Sequence, residues 1–164
     1  MVKNIFCIKS PIDNIMLIEP INNENIQPQE NSKINQDLNL PQKKILIVED
    51  NSLNLTLAKL LINKLIPNTI IHDASDGKEA LEIIEKNNFH LIFMDIRMPI
   101  LNGLETTKII RENEKNQQQY TPIIALTAAV LPEESKKCFE VGMDGFLSKP
   151  IDIDKLKSIL KNYL

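Results

Sequence analysis

Residues 45–51 read Ile45-Leu46-Ile47-Val48-Glu49-Asp50-Asn51, an apolar run rich in β-branched side chains that stops abruptly at two acids and an amide. A short continuous run of this kind predicts a strand covered on both faces, as the strands of a parallel sheet are. Three further runs end in the same manner. Leu91-Ile92-Phe93-Met94 stops at Asp95, Ile123-Ile124-Ala125-Leu126 stops at Thr127, and Gly145-Phe146-Leu147 leads through Ser148 to Lys149-Pro150. In an open parallel sheet, ligands collect beyond the carboxyl ends of the strands, where the strand order reverses. Four strand ends carrying polar or charged groups therefore mark the edge at which chemistry is expected.

Between these runs the periodicity changes from strand-like to helical, which is the pattern of an α/β protein. Five strands are predicted, near Lys44–Val48, Thr69–Asp73, His90–Asp95, Ile123–Leu126 and Gly145–Leu147, and five helices follow them. The first helix starts after Asp50, with Leu53, Leu57, Leu60, Leu61 and Leu65 as its apolar stripe, and stops before Pro67. Asp76 and Glu79 have the spacing of a capping box for the second. The third follows Asn102-Gly103 and runs towards Arg111, and the fourth starts at Pro132 and reaches Val141. The last begins after Asp152 and buries Leu156, Ile159, Leu160 and Tyr163; as it closes the chain, no C-terminal effector domain is expected. The four glycines lie near predicted boundaries, where unusual backbone angles are useful.

A polar stretch at 22–42, crowded with Asn, Gln and Pro, buries too little to order itself and reads as a linker. It separates a main domain at 43–164 from an extension at 1–21, which is either a mobile tail or a hairpin turning at Pro11-Ile12-Asp13-Asn14. Composition narrows the function classes. With a net charge of −3 and no basic run interleaved with aromatics, nucleic acid is not an expected partner. No apolar stretch approaches the roughly 20 residues of a membrane span. Cys7 and Cys138 have no metal-ligand spacing, so free thiols in a cytoplasmic protein are expected. No Gly-rich phosphate loop is present. His72 and His90 have no second ligand at useful spacing and read as structural.

An Asp at a strand end often does no more than cap a helix or start a turn. Placing Glu49 and Asp50 beside Asp95 changes the argument, because two like charges about 4 Å apart repel by roughly 4 kcal/mol at an effective dielectric near 20. A divalent cation removes that repulsion, and Mg²⁺ favours one or two carboxylates together with water and phosphate oxygens.

Four blocks in order, Ile45 to Asn51, Met94-Asp95-Ile96-Arg97-Met98-Pro99, Ile124-Ala125-Leu126-Thr127-Ala128 and Gly142 to Pro150, resemble the receiver domains of two-component response regulators, in particular those of hybrid histidine kinases. The resemblance spans Lys43 to Leu164 and implies a flavodoxin-like, five-stranded parallel sheet of order 2-1-3-4-5 with five helices. It implies that Asp95 accepts a phosphoryl group from a phosphohistidine, and that Glu49, Asp50, Asp95 and the main-chain carbonyl of Arg97 hold Mg²⁺. It also implies that Thr127 and Lys149 contact the phosphoryl group, that the Lys149-Pro150 peptide is cis, and that Thr127 and Phe146 move together on activation. Arg97 and Ala129 are similar in position to residues that tune phosphoryl lifetime. The implied partners are a histidine kinase or a histidine phosphotransfer protein. Such a domain catalyses its own phosphorylation and dephosphorylation and turns over no separate substrate. Two departures stand out: Glu49 replaces a common Asp in the acidic pair, and His90 stands where Asp is usual.

Two other readings compete. A pseudo-receiver of the same fold would act without phosphate, against which stands the complete set Glu49, Asp50, Asp95, Thr127 and Lys149. A phosphohydrolase with an aspartyl nucleophile would need a second Asp where Arg97 stands.

Overall fold

The computed structural model describes residues 42–117, 119–128 and 132–164; the expected extension, nearly all of the linker, Cys7 and Ala129 lie outside them. Strands and helices alternate as β1 (Lys44–Val48), α1 (Ser52–Leu65), β2 (Ile70–Ala74), α2 (Gly77–Ile84), β3 (Leu91–Asp95), α3 (Gly103–Gln117), β4 (Ile123–Thr127), α4 (Pro132–Glu140), β5 (Gly145–Ser148) and α5 (Ile153–Tyr163). All neighbouring strands are parallel and their order is β2-β1-β3-β4-β5. The order reverses between β1 and β3, so the carboxyl ends of these two strands flank the crevice at which open α/β sheets bind ligands. Among the described residues no helix is long and apolar enough to cross a membrane.

Every residue of β3 and β4 is buried, as is all of β1 except Lys44, which explains why these strands read as continuous apolar runs and not as an alternation. One face of the sheet, with Leu46, Val48, Ile92, Met94 and Ala125, packs on α2, α3 and α4. The other, with Ile45, Ile47, Phe93, Ile124, Leu126 and Leu147, packs on α1 and α5. Three helices start at side-chain caps. Asn51 accepts from the Leu53 and Asn54 N–H groups, Asp76 from Lys78 and Glu79, and Asp152 from Asp154 and Lys155. Glu79 turns back to the Ser75 N–H, one position before the cap, at 2.8 Å.

The expected apolar stripe of α1 is a correction. Leu53, Leu57 and Leu60 are 78%, 44% and 64% exposed, and the buried residues are Ala58 and Ile62, flanked by half-buried Leu55, Leu61 and Leu65. The helix carries two apolar stripes at helical spacing, and hydrophobicity alone does not choose between them. The buried stripe is the one that meets the sheet, and at the helix entry Asn54 Nδ2 donates to Glu49 Oε1 at 2.9 Å, tying the first turn to the end of β1. Smaller differences occur at strand ends. β4 and β5 each run one residue further than expected, to Thr127 and Ser148, because the Lys149 N–H donates to the Thr127 carbonyl at 2.7 Å and continues the ladder. α3 continues past Arg111 to Gln117.

Of the four glycines only Gly142 has a left-handed φ, of 95°; among the described residues Asn68 and Ile100 are also left-handed. Gly103 serves a different need. A Cβ there would stand 2.1 Å from the Asp95 carbonyl oxygen, so it is the close approach of α3 to the end of β3 that requires glycine. The two histidines are structural. His90 Nδ1 accepts the Lys44 N–H at 3.0 Å, and His72 meets Phe89 edge to face at 5.3 Å.

The rotation of α1 has a direct test in urea denaturation. Ile62→Ala is expected to lower stability by about 2–4 kcal/mol, and Leu60→Ala to change it by no more than about 0.5 kcal/mol, with the denaturant dependence unchanged in both; comparable losses at the two positions would contradict the assignment of faces.

Candidate functional site

Glu49 follows β1 and Asp95 closes β3, and the side-by-side register of Val48 with Met94 brings the next residue of each strand together. Glu49, Asp95 and Thr127 are buried, at 2%, 4% and 5% exposure, whereas Asp50 is exposed. One oxygen from each of Glu49, Asp50 and Asp95 lies within 4.8 Å of the others. Lys149, delivered by the end of β5 and a cis peptide to Pro150, places its ammonium between two of these acids. It is 2.8 Å from Glu49 Oε2 and 2.6 Å from Asp95 Oδ2. The Arg97 N–H donates to the other Asp95 oxygen at 3.0 Å and so fixes the plane of the carboxylate. Together with Asn51, Asn54, Ile96, Thr127 and Ala128, these groups line an open cleft of about 250 Å³.

Burial raises the pKa of the Asp95 carboxyl above its ordinary value; the Lys149 ammonium and the Arg97 N–H oppose that rise, and the neighbouring Glu49 adds to it. On Lys149 burial acts in the opposite direction. Burial alone would lower it, but hydrogen bonds to Asp95 and Glu49 hold it above the ordinary lysine range. Three carboxylates against a single ammonium leave the cleft net negative. Its donor set consists of oxygens alone, two of them on buried carboxylates, and that chemistry suits a hard cation such as Mg²⁺.

Thus Glu49, Asp50, Asp95, Arg97, Thr127 and Lys149, expected to converge, line one cleft. Phe146 stands apart, half-buried on β5 and edge to face with Phe139 of α4 at 6.3 Å. Two contributors were missed in the sequence. Asn54 holds Glu49, and Glu134, from the first turn of α4, accepts the Thr127 hydroxyl at 2.7 Å and an Arg97 guanidinium N–H at 2.9 Å. Pro132-Glu133-Glu134 is legible as an acidic helix start, but nothing in the spacing shows that one of its two acids turns back over the sheet.

The profile of the response regulator receiver domain matches residues 45–161. The chain belongs to that family. Over 133 residues this receiver domain is 42% identical to the osmosensing histidine protein kinase SLN1 of Saccharomyces cerevisiae, covering 77% of the chain and 10% of the kinase. It spans no more than 16% of any of the histidine kinases compared. A solved receiver domain of a sensor histidine kinase from Pseudomonas aeruginosa, with a magnesium ion coordinated in its active site cleft, is 34% identical with a TM-score of 0.66, over 74% of this chain and 97% of that one. The receiver domain of the Saccharomyces cerevisiae response regulator Ssk1, crystallised with the histidine phosphotransfer protein Ypd1, lies in a structure that matches at 30% identity and a TM-score of 0.67, over 75% of this chain and 89% of that chain.

The raised Asp95 pKa carries a sign that can be checked. A carboxyl whose folded pKa lies above its unfolded value weakens the fold where it is ionised, and the penalty disappears as pH falls through the folded value towards the unfolded one. Asp95→Asn is therefore expected to raise the melting temperature of the metal-free protein at neutral pH. The gap should close on acidification, as followed by circular dichroism. A variant that melts lower at neutral pH would show that the Lys149 pairing outweighs burial.

Proposed function

We propose that this domain, working in the cytoplasm, takes a phosphoryl group from a phosphohistidine onto Asp95 in a Mg²⁺-dependent reaction, and passes the signal on through protein contacts. The observation that supports this best is the Lys149 ammonium, which lies within hydrogen-bond distance of two buried acids that stand 100 and 54 residues away in sequence. An Asp95 oxygen forms the new P–O bond while the P–N bond to the donor imidazole breaks; the electron pair returns to the ring nitrogen, which takes up a proton. Phosphoryl transfer asks a protein mainly for positioning and charge neutralisation. The Arg97 N–H orients the nucleophile, Lys149 compensates charge on the incoming oxygens, and the Thr127 hydroxyl donates to one of them. Glu49, Asp50, Asp95 and the Arg97 carbonyl would hold Mg²⁺, which when bound neutralises phosphoryl charge and the acids' mutual repulsion.

The donor is a histidine kinase or a histidine phosphotransfer protein, since the family's solved and curated relatives include both contexts. Exposed Leu53 and Leu57 lie on the same first turns of α1 as Asn51 and Asn54, which line the cleft, so a donor covering the cleft would bury them.

Incubation with Mg²⁺ and acetyl phosphate should add one phosphoryl group by intact mass, and Asp95→Asn should abolish it. Labelling that persists in the variant would overturn the acceptor assignment, while an unlabelled wild type would favour a phosphorylation-independent module. Replacing Leu53 and Leu57 together by Ser is expected to slow transfer from a phosphorylated histidine phosphotransfer protein by at least tenfold and leave acetyl phosphate labelling unchanged; equal rates from the protein donor would place docking elsewhere.

A further inference from the structure

The Thr127 hydroxyl, the group proposed above to receive a phosphoryl oxygen, is held by an acid of α4. Its Oγ1 donates to Glu134 Oε2 at 2.7 Å, and the other Glu134 oxygen takes the Arg97 guanidinium at 2.9 Å. A hydroxyl has one proton to give. It can serve Glu134 or a phosphoryl oxygen, but not both at once. The Glu134 side chain is 18% exposed and that of Arg97 74%, so the acid is the sheltered, fixed partner and the guanidinium reaches in to it from solvent. Its neighbour Glu133 shares the first turn of α4 and is exposed, free to stabilise the helix start by charge alone. Glu134 does more, since it ties α4 to residues at the ends of β3 and β4.

We propose that Glu134 is a positioning residue which holds the unphosphorylated state by competing with the phosphoryl group for the Thr127 hydroxyl. This rests on the reading of Asp95 as the acceptor. Phosphorylation brings extra negative charge close to Asp95. Thr127 turns its proton towards that charge, Arg97 gains a second anion to pair with, and Glu134 faces a like charge with fewer donors. Each of these changes loosens the start of α4. The other end of α4 carries Phe139, which packs on Phe146, so both expected switch residues are tied to one nine-residue helix. Release of Glu134 thus gives Thr127 and Phe146 a common mechanical link without direct contact between them.

The test is a double-mutant cycle on the rate of acetyl phosphate labelling, with circular dichroism confirming the fold of each variant. Glu134→Ala is expected to speed labelling about fivefold to tenfold, a typical coupling between linked sites. In a Thr127→Ala background the same substitution should change the rate less than twofold, because the hydroxyl it competes for is gone. Glu134→Gln, which keeps the shape but not the charge, should fall between wild type and Glu134→Ala, and serves if the alanine variant fails to fold. An unchanged or slower rate in the Glu134 variants, or equal acceleration with and without the Thr127 hydroxyl, overturns the latch and leaves the acceptor assignment standing. A wild type that takes no label, by contrast, removes the acceptor assignment and the latch together.

Discussion

The Lys149 ammonium, seated between Glu49 and Asp95, is the interaction on which the rest of the site depends. Two carboxylates with exposures of 2% and 4% stand side by side at the end of a sheet, a placement that burial and mutual repulsion both oppose. A lysine from β5 reaches them although β3 and β4 lie between β5 and β1. The Lys149 N–H is pinned to the Thr127 carbonyl, so the long side chain starts beside the end of β4. The sheet order, the close of β4 and the charge balance of the cleft are therefore one arrangement and not three.

The same arrangement leaves charge unbalanced, and that imbalance is what makes the site responsive. Three acids against one ammonium favour a hard cation over an inert ion pair. Thr127 and Arg97, which line the cleft, are both bound to Glu134 on α4. α4 joins the rest of the fold through few buried residues, with Cys138 its single fully buried one among the described residues. A helix anchored so lightly can respond to a shift of one or two hydrogen bonds, where the two-sided packing of β3 and β4 cannot.

The distinction between stripes on α1 and between the uses of glycine shows where sequence reading reaches its limit. Leu53, Leu57 and Leu60 have the spacing of a core face, yet Ala58 and Ile62 go inward, while the cap at Asn51 and the Asn54 contact with Glu49 hold the helix start. Ala58 and Ile62 carry the burial, with Leu55, Leu61 and Leu65 packed beside them, and three leucines of the expected stripe stay exposed. Gly103 marks a turn in the sequence, but its role is to let α3 approach the Asp95 carbonyl, while the left-handed backbone of that loop falls on Ile100.

By itself the sequence determined the five strands, the helix starts at Asp76 and Asp152, the strand-end positions of Glu49, Asp50, Asp95, Thr127 and Lys149, and the family to which they belong. It could do so because doubly buried strands must be continuously apolar and must stop where polar groups begin, so periodicity and interruption are written locally. Tertiary structure alone decided which face of α1 is covered, which carboxylates Lys149 pairs with, and that Glu134 holds Thr127 and Arg97. Those outcomes are set by angles and distances between elements far apart in the chain, and no local pattern of residue types encodes the direction in which a side chain leans across a sheet edge.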